Sequence, residues 1–266
     1  LALLDRSRPA FGSQEDFLRL YVDAHLAAKD NDKAVEAARQ LVEAHPLSIN
    51  AYRVLVDTLN RAKRFDEARP ALARAAAKLG QSEELESLEA ISLYQQKRYP
   101  EAERRLRDLA KRRSKNADVY WYFLGSVHLD QKRFDAAETA FRKAIELNPN
   151  NDSALNALGY MFADNNVKLD EAEDLIRRAL QLNPAAPHIL DSMGWVLFRK
   201  GQLKEALDYV EKAHRLMGDD AEILEHLGDI HAALGNRERA LEYWQRSLAV
   251  DANQQDVRDK IATISQ

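Results

Sequence analysis

Asp118 to Asn151 reads DVYWYFLGSVHLDQKRFDAAETAFRKAIELNPNN, and the fold can be inferred from its pattern. Its apolar residues recur at the spacing of two amphipathic helices, the first carrying Leu124 and Gly125 and the second carrying Ala137. Small residues at Gly125 and Ala137 allow the two helices to approach closely. Pro149 ends the stretch, because a proline cannot continue a helix. The stretch therefore predicts a helical hairpin, and we number its residues as frame positions starting at Asp118.

The same pattern recurs along the chain. The Leu-Gly or Met-Gly pairs that begin at Leu124, Leu158, Met193 and Leu227 are separated by 34, 35 and 34 residues. An alanine follows the same period, at Ala34, Ala68, Ala102, Ala137, Ala172, Ala206 and Ala240. A fixed period of this length indicates a repeat architecture, in which each unit buries its apolar face against its neighbours.

A helical hairpin that repeats in this way resembles the tetratricopeptide repeat (TPR) family. The resemblance implies an all-α fold, a right-handed superhelical solenoid of helix-turn-helix repeats (an α-α superhelix). The frame predicts seven repeats, at 15–48, 49–82, 83–117, 118–151, 152–186, 187–220 and 221–254. Residues 255–266 are expected to form a C-terminal capping helix, and residues 1–14 the tail of a preceding helix or a linker.

The third repeat departs from the pattern. Glu86 and Glu89 stand at frame positions 4 and 7, where the other repeats carry large apolar residues. We therefore expect its first helix to be shifted in register or loosely packed.

Composition and motifs argue against catalysis and nucleic-acid binding. The formal net charge is -4 and there is no cysteine, so neither a cationic excess for phosphate binding nor a thiol nucleophile is present. No serine lies in a nucleophile elbow and no glycine-rich loop precedes a helix. His226 and His231 are five residues apart and so face different sides of a helix, unlike a zinc-binding pair. We expect no enzyme activity, no metal and no cofactor.

In TPR solenoids the first helix of each hairpin lines a concave groove, through frame positions 2, 5, 9, 12 and 13. Aromatic and polar residues occupy such positions in repeats four to six, and the predicted partner-binding residues are Val119, Tyr122, Leu129, Asn156, Tyr160, His188, Asp191, Trp195, Phe198 and Arg199. Repeat seven adds an acidic end, Glu222, Glu225 and Asp229, that favours a basic partner segment. Exposed aromatic residues are typical of protein-binding surfaces. The alternative is that the neighbouring first helices bury these aromatic rings.

Residues 152–254 also resemble a narrower group, the bacterial outer-membrane TPR lipoproteins. The motifs are Ala157-Leu158-Gly159-Tyr160, the stretch ILDSMGWVLF at 189–198, and Glu225-His226-Leu227-Gly228-Asp229. That group includes lipoproteins that activate a periplasmic carboxyl-terminal processing protease and help it to degrade cell-wall hydrolases.

The narrower resemblance implies a non-catalytic adaptor that presents substrates to such a protease or activates it. Its partners would be the protease or its cell-wall hydrolase substrates, with no nucleic acid. It would work in the bacterial periplasm, with the present chain soluble and a lipid anchor to the outer membrane outside these residues. Two alternatives stay open. One is a structural scaffold for an envelope secretion, pilus or polysaccharide-export assembly, and the other is an enzyme whose catalytic domain lies outside this sequence.

Overall fold

The computed structural model describes residues 2–112 and 114–264, and in these residues all regular secondary structure is helical. Leu1, Ser265 and Gln266, which belong to the predicted end segments, lie outside the described residues. The chain divides after Val127 into two compact units, which we call the N-terminal unit and the C-terminal unit. The predicted all-α class of helical hairpins is confirmed.

The N-terminal unit is built from helices in hairpin order. They are α1 (Ala2–Phe11), α2 (Glu15–Ala27), α3 (Asn31–Ala44), α4 (Ile49–Arg61), α5 (Phe65–Leu79), α6 (Glu83–Gln95), α7 (Tyr99–Ala110) and α8 (Ala117–Asp130), the last of which runs past Val127. The α1 helix precedes the first hairpin and contacts it, because the Tyr21 hydroxyl donates to Asp5 Oδ1 at 2.6 Å. Leu4 of α1 also packs against the core of this unit.

The C-terminal unit continues the same order. Its helices are α9 (Phe134–Leu147), α10 (Asp152–Asp164), α11 (Leu169–Leu182), α12 (Pro187–Arg199), α13 (Leu203–Met217), α14 (Ala221–Ala233), α15 (Arg237–Val250) and α16 (Gln255–Ile264). The last helix covers the end of the final hairpin, where Val257 is buried against Ala240 and Trp244. None of the helices that the structure describes is long and apolar enough to cross a bilayer.

Every hairpin has a left-handed residue at frame position 15, where the chain reverses direction. These residues have φ between 56° and 81°, and they are Lys29, Lys63, Lys97, Lys132, Asn166, Gly201 and Gly235. The amide of the next residue then donates to the carbonyl at position 11, as from Arg64 to Leu59 at 2.8 Å. This is the bond of a Schellman helix end, which satisfies a carbonyl that would otherwise have no partner.

Close approach within the hairpins explains the small residues of the repeat. A Cβ atom at Gly194 would overlap Cγ2 of Val210 and would lie 3.0 Å from the carbonyl oxygen of Ala206. A Cβ atom at Gly228 would overlap the ring of Trp244. The two helices of each of these hairpins therefore touch through a residue without a side chain.

The third repeat keeps the register of the others. Ala90 and Leu93, at frame positions 8 and 11 of α6, are buried as their counterparts are. Glu86 and Glu89 form ion pairs with two arginines, at 2.6 Å to Arg112 and 2.8 Å to Arg105. These half-exposed ion pairs stand where other repeats have apolar contacts, so the expected shift in register does not occur.

Candidate partner-binding surfaces

The predicted groove residues differ widely in exposure. In the C-terminal unit, Trp195 is 7% exposed and Asp191 is 5% exposed, so both are part of the interior. The half-buried residues are Leu129, Asn156, Tyr160, Phe198, Arg199, Glu225 and Asp229. His188 and Glu222 are exposed. Val119 and Tyr122, both half-buried, belong to the part of α8 that lies in the N-terminal unit.

Trp195 is buried by a residue that was not among the predicted groove positions. Its ring stacks on the imidazole of His226 in α14, with ring centres 4.2 Å apart and planes 13° from parallel. The ring also stacks on Phe198 of its own helix at 5.1 Å. His226 stands at frame position 6 of repeat seven, a position that we had not assigned to the groove. The neighbouring first helix therefore buries Trp195, as the alternative interpretation of these rings supposed.

His226 also forms a buried ion pair with Asp191. Its Nδ1 atom lies 3.0 Å from both carboxylate oxygens of Asp191, and His226 is 4% exposed. Burial by itself disfavours the charged imidazole, but the Asp191 carboxylate outweighs it and holds the pKa of His226 above its ordinary value. A charged pair thus joins α12 to α14 beneath the stacked rings.

Tyr160 and Glu222 form a second link, from α10 to α14. The Tyr160 hydroxyl donates to Glu222 Oε1. Burial raises the pKa of Tyr160, and the neighbouring Glu222 carboxylate raises it further. Desolvation of its carboxyl group likewise raises the pKa of Glu222, although the residue as a whole keeps contact with solvent. The α10, α12 and α14 helices are therefore joined by side chains that leave Tyr160 and Phe198 partly accessible; we call this surface the aromatic face.

Asp191, Glu222 and His226 are also a group whose geometry can be compared with a metal site. Among the residues that the structure describes, they place one donor atom each within 4.8 Å of the others. The His226 Nδ1 atom, however, already contacts both oxygens of Asp191, and Glu222 accepts the Tyr160 hydroxyl. Because the donors satisfy one another, we assign no metal to them.

The predicted acidic end is partly paired from within the chain. Lys260 of α16 places its Nζ atom 2.7 Å from Glu225 Oε1 and 2.7 Å from Asp229 Oδ2. Trp244 Nε1 also donates to Asp229 at 3.0 Å. Two of the three acidic groups are thus paired with the capping helix, and Glu222 alone of the three stays outside this contact.

The N-terminal unit contains a cavity that is lined by residues of three helices. It has a volume of about 380 Å³ and lies among α4, α6 and α8. The apolar part of its lining is Leu88, Ile91, Val119 and Phe123. Val119 was among the predicted partner-binding residues, and Arg53 and Asp57 of the lining stand at groove positions 5 and 9 of repeat two. Ile91 occupies a groove position of the third repeat, the repeat that was expected to pack poorly.

The polar part of this cavity contains the carboxylate of Asp57, which Arg53 and Arg61 attract without forming an ion pair among the described residues. Asp57 accepts a hydrogen bond from Gln95 Nε2 at 3.4 Å, and in the described part of the chain no cationic group lies within 4 Å of it. Burial raises the pKa of Asp57. Glu84 and Arg53, both exposed, complete the charged lining. We call this cavity the Asp57 pocket.

Comparisons with known proteins agree with the helical repeats. The family model of the cytochrome c-type biogenesis protein H TPR domain matches residues 105–224, and a general tetratricopeptide repeat model matches residues 22–84 and 192–257. No curated protein matches the sequence.

Solved structures with the same fold include three that differ in size. The APC/C hetero-tetramer Cut9-Hcn1 contains a chain that matches with a TM-score of 0.76 at 15% identity, over 96% of this chain and 50% of that one. The present chain thus spans half the length of that relative. A tetratricopeptide repeat protein from Parabacteroides merdae matches with a TM-score of 0.62 at 16% identity, over 95% of this chain and 99% of that one. A thermophilic TPR protein from Thermus thermophilus matches with a TM-score of 0.57 at 18% identity, over 69% and 99% of the two chains.

At these identities the solved structures support the fold alone. The family models cover the repeats on both sides of Val127. They support the repeat family in general and carry no support for the lipoprotein group within it. Together with the hairpins and their shared turn, they identify the chain as a tetratricopeptide repeat protein.

Proposed function

We propose that this chain is a non-catalytic adaptor that binds a segment of a partner protein on the aromatic face. The observation that supports this proposal is the position of Tyr160 and Phe198. Both rings keep accessible surface, and both rest on side chains that are locked by stacking and hydrogen bonds. A surface that is already rigid loses little conformational entropy when a partner binds. Tyrosine and phenylalanine are also enriched at protein interfaces.

The more specific proposal concerns the partner. We propose that it is a periplasmic carboxyl-terminal processing protease or a cell-wall hydrolase that this protease degrades. The support is the resemblance of residues 152–254 to outer-membrane TPR lipoproteins, and those residues contain the aromatic face. In this role the chain would work in the bacterial periplasm, held at the outer membrane by a lipid anchor outside these residues.

A second candidate function is a scaffold for an assembly in the cell envelope. It is favoured by the match of residues 105–224 to the TPR domain of a cytochrome c-type biogenesis protein. A scaffold in biogenesis, secretion, pilus or polysaccharide-export machinery would hold a fixed partner in constant ratio, whereas a protease adaptor would exchange its substrates.

Affinity capture from a bacterial envelope extract tests the adaptor and compares it with the scaffold. The bait is the whole chain, with the double variant Tyr160→Ala/Phe198→Ala as the test. Tyr209→Ala is the matched control, because Tyr209 is a half-buried aromatic residue on the second helix α13. Circular dichroism establishes that all baits are folded.

Recovery of a processing protease or a cell-wall hydrolase by the wild type and by Tyr209→Ala, but not by the double variant, supports the adaptor. Equal recovery by all three baits contradicts binding at the aromatic face. Recovery of the subunits of an envelope assembly in a fixed ratio supports the scaffold and contradicts the protease adaptor.

A further inference from the structure

The Asp57 pocket has the size and composition of a ligand site. Its volume of about 380 Å³ falls within the range of small-ligand cavities, roughly 300–1,000 Å³. Three consecutive first helices contribute to it, so the pocket is formed by the repeat stack and not by a mobile loop. Apolar walls with a few polar groups are the usual makeup of such sites.

The charge in the pocket indicates what kind of group it accepts. Asp57 is half-buried and has no cationic partner within 4 Å in the described residues, although Arg53 and Arg61 stand one helical turn before and after it. Glu84 adds a second carboxylate to the lining, against the single guanidinium of Arg53. The pocket lining therefore carries one more negative charge than positive charge. A partly desolvated carboxylate is stabilised by a cation that enters beside it.

The apolar walls limit that cation to one with an apolar stem. Lysine and arginine side chains lay their methylene groups along apolar surface while the charged end reaches a polar group. Ile91 and Val119 offer that surface, and the half-buried ring of Phe123 offers a face on which a guanidinium stacks. Arginine also has five N–H donors, which match the carboxylates of Asp57 and Glu84 better than a lysine ammonium does.

We propose that the Asp57 pocket is a binding subsite for an arginine side chain in a segment of a partner protein. This proposal rests on the proposed function only in that the occupant belongs to a protein. The site lies in the N-terminal unit and shares no residue with the aromatic face, so each surface can be disabled separately.

Methyl NMR titration of the whole chain tests the subsite directly. The probe is the blocked tripeptide acetyl-Gly-Arg-Gly-amide, and the signal is the δ1 methyl group of Ile91. Two analogues serve as controls: citrulline keeps the shape of arginine without its charge, and norleucine keeps only an apolar stem. We expect the arginine peptide to shift the Ile91 signal saturably and to bind at least about fivefold more tightly than either analogue.

Two variants assign the effect to Asp57. Asp57→Asn is expected to weaken arginine binding at least about fivefold, whereas Arg53→Gln is expected to strengthen it by removing the competing cation. Asp23→Asn is the matched control, because Asp23 occupies the same frame position in the first repeat and is exposed. It is expected to bind like the wild type.

Three results would overturn the subsite: no shift of Ile91, equal binding of the norleucine or citrulline peptide, or unchanged affinity in Asp57→Asn. The titration is repeated with Tyr160→Ala/Phe198→Ala. If that variant loses its protein partner but still binds the arginine peptide, the two sites are independent. If the wild type recovers its partner and the double variant does not, while the arginine peptide fails to bind the wild type, the adaptor stands and the subsite is wrong.

Discussion

The first helices of consecutive repeats are joined by different chemistry in the two units. Between α4 and α6 in the N-terminal unit, the link is a set of neutral side chains. Asn60 donates its amide to Ser92 Oγ at 3.0 Å and to Gln95 Oε1 at 2.6 Å, and accepts from Gln96 Nε2 at 3.2 Å. No member of this network titrates near neutral pH.

Between α12 and α14 in the C-terminal unit, the link is the ion pair of His226 and Asp191, covered by the ring of Trp195. Both charges are out of water, so each depends on the other for compensation. The contact between the first helices of consecutive repeats can therefore be made by neutral side chains or by a charged pair. The charged connection makes stability dependent on pH and on each of its two partners.

The largest expected effect follows from removing one charge of the buried pair. Asp191→Ala leaves the imidazole of His226 without its carboxylate in the interior, and breaking a buried pair in this way costs about 3–5 kcal/mol. Ser92→Ala, which removes one neutral hydrogen bond from the N-terminal unit, is expected to cost only about 1 kcal/mol. Urea unfolding, monitored by circular dichroism, measures the loss in unfolding free energy for both variants. Similar losses for the two variants would mean that the pair is not charged in the folded chain.

A somewhat smaller effect is expected where the helices of a hairpin touch. Gly194→Ala places a methyl group against Val210, and overpacking of this kind costs about 1–3 kcal/mol. The second substitution Val210→Ala should restore part of that loss by making room. In the N-terminal unit, Ala90→Gly changes the same frame position in the opposite direction and should cost about 1 kcal/mol through helix propensity. Thermal unfolding of the three variants measures the order of their stabilities. A Gly194→Ala chain as stable as the wild type would contradict the close approach of the two helices.

The pH dependence should also separate two buried histidines of α14. Because Asp191 raises the pKa of His226, its stabilisation is complete below about pH 6.5 and is lost as the pH rises through the raised pKa. The difference in unfolding free energy between wild type and His226→Gln should therefore shrink as the pH rises above about 6.5. Burial lowers the pKa of His231, so the corresponding difference for His231→Gln should change in the opposite direction, shrinking as the pH falls below about 6.5. Parallel pH profiles for the two variants would contradict a charged His226–Asp191 pair in the folded chain.

The smallest effect is expected for the ion pairs of the third repeat. Glu89 and Arg105 are both half-exposed, and pairs of this kind contribute about 0–1 kcal/mol. Glu89→Gln should lower the unfolding free energy by less than about 1 kcal/mol, and added salt should abolish the difference. A loss as large as that of Asp191→Ala would show that the stabilisation from an ion pair does not depend on its exposure to solvent.

The hairpins could be predicted because their determinants are local. Each repeat carries its own helix periodicity and an alanine at frame position 20, so a repeated helical hairpin could be predicted from spacing alone. The register of the third repeat was harder to predict, because the sequence does not show which arginines pair with Glu86 and Glu89.

The candidate surfaces were less predictable. Trp195 was expected to be exposed, and its burial depends on His226, which comes from the next repeat and stands outside the groove positions. The acidic end was expected to be free, and the pairing of two of its three carboxylates depends on Lys260, which lies 31 residues after Asp229. The Asp57 pocket combines residues of three helices, so no single motif marks it.

The repeat and the hairpin could be predicted from residue types at short, regular spacing, and the same reading found no recognisable catalytic motif. Which groove residues are buried, which charges are paired and where a cavity remains could be seen only in the folded chain. Those outcomes depend on side chains about one repeat apart, and the burial and charge of each side chain are set by the neighbour that packs against it.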